Sequence, residues 1–274
     1  MSSSYMIGTV PIEPARIDAD LAEVEPSGFV DSYTEFVCGS WRTCMLWNAT
    51  GDSADSQIRD YSGPAQMTEL GRKLGYLDEL MTNHFDLEKL RFARITRLAP
   101  HTVVVPHRDY VELESDLVRI HVPLMTAAEA YASEEETIYR MGLGEVWFLD
   151  ATKVHSIANF SQRNRIHLLL DFHAPQPSLV FKRRQDGPWG MPATSIIPRR
   201  PLRPDEHKAF RALASVIDQA NFMDVLAMII KRYFAAAMDI REVFSWLREI
   251  AADSNDPAIL SRAQWLEEHA LTSR

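Results

Sequence analysis

The sequence predicts a mainly β fold with helices, a sandwich or jelly-roll barrel followed by a C-terminal helical bundle. Between Arg91 and Phe172, short runs rich in Val, Ile, Leu, Phe and Trp follow one another, separated by turn signals such as Gly142-Leu143-Gly144. Many short strands with no helix between them pack as two sheets or close into a barrel. Past Asp205 the apolar spacing becomes helical, and the stretch between, residues 174–204, carries seven of the fifteen prolines, a density that resists regular structure.

In chain order, residues 1–60 mix strand-like runs (Met6 to Ile12, Thr43 to Trp47) with polar turns. Residues 65–90 read as helical, with Leu70, Leu74, Leu77 and Leu80 on one stripe. Strands are expected at Phe92–Leu98, Thr102–Val105, Val118–Leu124, Thr137–Met141, Glu145–Leu149 and Ile166–Phe172. The Pro-rich stretch reads as an extended connector or covering strap. Helical spacing then links Phe210, Leu213, Ile217 and Ala220, and again Ile240, Val243, Leu247 and Ile250. Asp256-Pro257 is an N-cap and first-turn pair, opening a helix with Ile259, Ala263, Leu266 and Ala270 on one face. The division expected is a core over 1–173 with N-terminal α/β elements, a connector over 174–204 and a helical domain over 205–274.

Composition narrows the function. With 274 residues and 46% apolar content the chain can bury a large core. A net charge of −9 argues against a nucleic-acid surface, which needs a basic stripe. Cys38 and Cys44, the two cysteines, read as strand fillers rather than a disulfide framework. No apolar run spans a bilayer and no export signal opens the chain, so a reducing cytoplasm, which keeps iron as Fe(II), is the expected location.

The chemistry sits in His107-Arg108-Asp109 and in His155, 46 residues past the aspartate. If the first stretch is extended, His107 and Asp109 project the same way, and Pro106 biases Val105 toward that geometry. Two imidazoles and one carboxylate on one side of a metal leave positions open, the arrangement of non-haem Fe(II) sites. His-x-Asp alone is a weak signal, equally a surface His beside a solvated Asp. The apolar run Glu145–Leu149 ending at Asp150, ahead of His155, strengthens the metal reading by placing that His at a barrel mouth. Arg119 and His121 share a strand face, which is either exposed or paired with a carboxylate ligand. Arg165, on the strand after His155, supplies the fixed cation that a dicarboxylate such as 2-oxoglutarate needs.

These segments resemble the bacterial Fe(II)/2-oxoglutarate-dependent hydroxylases of free L-proline, cis-3 and cis-4, distant relatives of the aspartyl/asparaginyl β-hydroxylases. The resemblance is carried by Val105 to Glu114, Arg119-Ile120-His121, Met141 to Ala151, His155-Ser156 and Asn159-Phe160-Ser161. It is weakest over Thr126 to Thr137 and Ala174 to Pro204. It implies a double-stranded β-helix (jelly-roll, cupin-like) core with iron held by His107, Asp109 and His155. It also implies that Arg165 grips the far carboxylate of 2-oxoglutarate, with Arg119 and His121 in the same pocket. Dioxygen is the oxidant and ascorbate the expected reductant.

The substrate expected is a free cyclic amino acid, taken by a monomer or homodimer. Arg94 is favoured over Arg97 for its carboxylate, the two lying on opposite faces by parity; a surface arginine is the competing reading. Trp147 walls the pocket or packs in the core, and Glu112 or Glu114 meets the ammonium or lies in a solvated turn. L-Pipecolate or a peptide side chain as substrate, and a non-catalytic cupin-like binding protein, remain alternatives.

Overall fold

The structure, a computed structural model, describes residues 2–24, 28–109, 117–187 and 189–272. Glu112 and Glu114 lie outside the described residues.

The strands are β1 (Tyr5–Thr9), β2 (Val30–Asp31), β3 (Val37–Cys38), β4 (Trp41–Asn48), β5 (Gln66–Met67), β6 (Leu90–Leu98), β7 (Thr102–Val104), β8 (Leu117–Met125), β9 (Ala130–Glu134), β10 (Thr137–Tyr139), β11 (Glu145–Leu149), β12 (His155–Asn159) and β13 (Arg165–His173). The helices are α1 (Pro14–Val24), α2 (Glu69–Lys73), α3 (Gly75–His84), α4 (Glu206–Arg211), α5 (Phe222–Ala235), α6 (Glu242–Asp253) and α7 (Pro257–Leu271). A large sheet runs β1-β11-β8-β13-β6-β4-β2, with β5 added beside β4, and a smaller one runs β10-β9-β12-β7-β3. Every pairing within these two sheets is antiparallel. This is the jelly roll that the strand pattern predicts.

Period-two alternation sorts the side chains into layers. On β13, Ile166, Leu168, Leu170 and Phe172 face out and pack with Leu21, Leu77 and Leu80 of α1 and α3. The residues between them, Arg165, His167, Leu169 and Asp171, face the barrel interior and are nearly all polar. On the smaller sheet Cys38, Val103 and Ala158 face out and share one apolar core with α5, α6 and α7. Their neighbours Val37, Val104 and Ile157 face in, against Leu98 of the large sheet. The barrel is thus apolar on both outer faces, and its interior combines an apolar wall on the smaller sheet with polar groups on β13.

Several elements depart from expectation. Residues 14–24 form a helix where turns were expected: Ile17, Leu21 and Val24 bury a stripe one residue wide, too sparse among charged neighbours to read from the sequence. The helix expected through Phe210 to Ala220 ends at Arg211, and a single 3-10 turn, Ala212–Ser215, follows. β9 fills the segment where the family resemblance is weakest. His155, expected at a barrel mouth, opens β12. Elsewhere the local chemistry holds: Asp256 caps α7 through the Ala258 N–H at 2.9 Å, and Ile259, Ala263, Leu266 and Ala270 are the buried face.

At the turn into β11, Gly144 has φ +71°, and a Cβ there would lie 2.4 Å from the Val10 carbonyl oxygen. That turn sets the register of β11 against β8, and so the position of Leu149 in the site. Cys38 and Cys44 are buried free thiols. Among the described residues no helix is long and apolar enough to cross a membrane.

Candidate metal centre

His107, Asp109 and His155 converge, their ligand atoms all within 4.8 Å of one another. Backbone pairing places them. His107 and His155 form an antiparallel bridge in which each N–H donates to the other's carbonyl at 2.9 Å. Two residues on, the Asp109 N–H donates to Ala151 O at 2.9 Å, and the Arg108 N–H donates to Ala270 O at 3.0 Å. The second bond ties the motif to the last turn of α7.

The donor set fits a metal ion. His107 Nδ1 lies 2.8 Å from Val105 O, and His155 Nδ1 lies 3.0 Å from Lys153 O. A carbonyl only accepts, so each Nδ1 carries the proton and each Nε2 keeps its lone pair. Those two Nε2 atoms face the same carboxylate, 3.2 Å from Asp109 Oδ1 and 3.7 Å from Asp109 Oδ2 respectively. Burial alone would raise the Asp109 carboxyl. The Arg119 charge outweighs it and holds the group well below the usual range. His155 is pushed down to about 4, first by burial and then by His107. An ionised carboxylate beside two imidazoles that turn Nε2 toward it is the donor set a divalent cation with mixed N/O ligands requires.

Asp171, which the sequence reading did not single out, supports this carboxylate. It stands opposite Arg119 in the β13–β8 register and accepts from Arg119 Nε at 2.7 Å and Nη2 at 3.0 Å. The remaining guanidinium nitrogen, Nη1, donates to Asp109 Oδ2. Both members of the Arg119–Asp171 pair are almost fully buried. Its signal was available: Asp171 shares the inward parity of Arg165.

A cavity opens on the metal ligands, lined by Arg94, Arg119, His121, Leu149 and Leu169 from the large sheet and by Val104 and Ile157 from the smaller one. Tyr33, Phe36, Val37 and Trp41 complete it. No local pattern singles these four out. Tyr33 adopts φ +55° at the start of a 3-10 turn, a conformation that costs a non-glycine residue about 1 kcal/mol.

Arg94 is buried in that wall and also borders an outer cavity lined by Asp31, Thr43 and Arg59. Its Nε has no hydrogen-bond partner among the described residues. Arg97 is on the opposite face, stacked 4.3 Å over the Phe29 ring. Trp147 is buried away from the cavity, stacked on Tyr139 at 5.1 Å and donating to Glu145 Oε2 at 2.8 Å. Leu149 takes the position on β11 that borders the metal ligands.

Deeper in the barrel, Arg165 is 4% exposed. Among the described residues no carboxylate pairs with it, and burial pushes it down to about 9. His121 has both ring nitrogens buried without a hydrogen-bond partner among the described residues.

The sequence matches the family model for aspartyl/asparaginyl beta-hydroxylase over residues 15–175, and that for the C-terminal part of L-proline 3-hydroxylase over residues 177–274. An L-proline cis-4-hydroxylase of Rhizobium meliloti (strain 1021) is 34% identical, covering 99% of this chain and 97% of that one. An L-proline cis-3-hydroxylase of a Streptomyces species is 33% identical, covering 99% and 96%. Among solved structures, a Pseudomonas putida prolyl-4-hydroxylase aligns over 64% of this chain and 94% of its own at 12% identity, with a TM-score of 0.40.

Proposed function

The chain belongs to the L-proline hydroxylase family of the aspartyl/asparaginyl β-hydroxylases, and from that premise we propose that it hydroxylates a ring carbon of free L-proline, at C3 or C4, with Fe(II), dioxygen and 2-oxoglutarate. The observation that carries the reading is a set of buried groups facing the barrel interior: the His107–Asp109–His155 cluster, His121, and Arg165, with which no carboxylate pairs among the described residues. That set offers a metal to a 2-oxo acid head and a cation to a second carboxylate. Bound iron supplies the redox chemistry that couples oxidation of the cosubstrate to oxygen insertion into a C–H bond.

The protein's own residues bind and aim. His107, Asp109 and His155 would hold the iron. Asp171 holds Arg119, and Arg119 holds the Asp109 oxygen that faces it. The guanidinium of Arg165 takes the far carboxylate of 2-oxoglutarate as a planar two-point clamp. Arg94, on the cavity wall, meets the amino acid's carboxylate and thereby fixes the ring against Phe36, Leu149 and Ile157. The apolar wall keeps water from the reacting carbon. A reducing compartment, with ascorbate as reductant, suits both the iron and the two buried thiols.

Mass spectrometry of the iron-loaded protein with 2-oxoglutarate, ascorbate and a panel including L-proline and L-pipecolate tests this. Succinate formed together with singly oxygenated proline is the expected result. Succinate with oxygenated pipecolate instead would move the substrate. Absence of succinate from an iron-loaded protein would remove the reading.

A further inference from the structure

Two buried polar side chains next to Arg165 make no hydrogen bond among the described residues. His167 lies two residues along β13, so its ring shares the inward face with Arg165. It is fully buried, with neither Nδ1 nor Nε2 hydrogen-bonded among the described residues. Its ring meets His121 edge-on at 5.9 Å. Tyr139 comes from the opposite sheet, at the end of β10, and is also fully buried. Its ring stacks on Trp147, and its hydroxyl has no hydrogen-bond partner among the described residues. The nearby Ser4 hydroxyl is already engaged, donating to Glu134 and accepting from the Asp150 N–H at 2.9 Å.

We propose that the His167 ring and the Tyr139 hydroxyl form, with Arg165, a three-sided cradle for the far carboxylate of a dicarboxylate cosubstrate. This rests on the 2-oxoglutarate reading above and deepens it. A carboxylate offers about four lone-pair positions, and a two-point arginine fills two of them. Two more donors complete the set, one from the arginine's own strand and one from across the barrel. Leaving such groups unpaired is costly, and an apolar pair of the same shape would avoid that cost.

The charge states agree with the geometry. Burial and the neighbouring Arg165 hold His167 well below the usual imidazole range, so it is neutral and has one N–H to give. Burial holds the Tyr139 proton on far above neutral pH. The cradle therefore has one formal cation and two neutral donors, which suits a single carboxylate and not a doubly charged phosphate.

The test compares two ligands on the metal-loaded protein without oxygen, by calorimetry. 2-Oxoglutarate carries the distal carboxylate; 2-oxobutanoate has the same 2-oxo acid head and lacks it. Tyr139→Phe keeps the ring on Trp147 and removes one oxygen; His167→Phe removes the other donor. Each is expected to weaken 2-oxoglutarate about tenfold and to leave 2-oxobutanoate unchanged. A variant that weakens both ligands equally, or neither, overturns the cradle while the unmodified protein still prefers 2-oxoglutarate. An unmodified protein that binds the two ligands alike would remove the dicarboxylate reading itself, and the cradle with it. Thermal midpoints taken alongside separate loss of the ligand from loss of the fold.

Discussion

His107 and His155 are a hydrogen-bonded antiparallel pair, each main-chain N–H donating to the other's carbonyl, with ring centroids 4.4 Å apart. Because the main chain makes this pairing, the metal-facing nitrogens are aligned before any metal binds. Removing one ring should therefore remove a ligand without unfolding the barrel. His155→Ala is expected to keep the far-ultraviolet circular dichroism of the parent and to lose divalent-metal binding in calorimetry. Metal binding at parental affinity would show that the ion sits elsewhere.

Asp171→Asn leaves the Arg119 cation buried with half its partner. The loss of a buried pair member costs about 3–5 kcal/mol, to be read from chemical denaturation. Freed from Asp171, Arg119 no longer holds Asp109 in place, so metal affinity should also fall by about tenfold or more. A variant that loses stability but binds metal as tightly as the parent would confine Asp171 to the fold.

Arg94 and Arg165 should separate in steady-state kinetics. Arg165→Ala is expected to raise KM for 2-oxoglutarate by about 10–100-fold, the worth of a charge-assisted pair, with a small effect on the amino acid. Arg94→Ala should do the reverse. Crossed effects in the opposite sense would exchange the two assignments.

The buried imidazoles make stability fall in acid. His121 and His167 are held well below the usual range, first by burial and then by Arg165. Their contribution is whole above the unfolded value of about 6.5. Below that pH the unfolded chain takes up protons that the folded chain refuses, and stability declines by up to about 1.4 kcal/mol per pH unit for each ring. Denaturation of the metal-free chain at a series of pH values reads this slope. His167→Phe should make it shallower, and an unchanged slope would count against the buried neutral ring.

That His107 and Asp109 share a strand face, and Arg119 and His121 another, was legible because strand parity is local and survives small errors in strand ends; that the second face points inward was not. The capped helix at Asp256 was legible too. Most of the cavity wall was not: Tyr33, Phe36, Trp41 and Ile157 meet only through the order and register of strands far apart in sequence. Asp171 was missed because an acidic residue near a strand end reads as solvent-facing until its cross-strand partner is known. The shared core of α5 to α7 with the smaller sheet was hidden too, since helical spacing reveals which face is apolar but not what covers it.

The central claim is that one residue set binds a metal and delivers an oxygen atom from dioxygen to a free cyclic amino acid. Turnover under isotopically labelled dioxygen, run with the parent and with Asp109→Ala, tests it most directly. The account predicts one labelled oxygen in hydroxyproline and one in succinate from the parent, and neither product from the variant. Labelled product from Asp109→Ala, or a parent product whose oxygen comes from water, would contradict it.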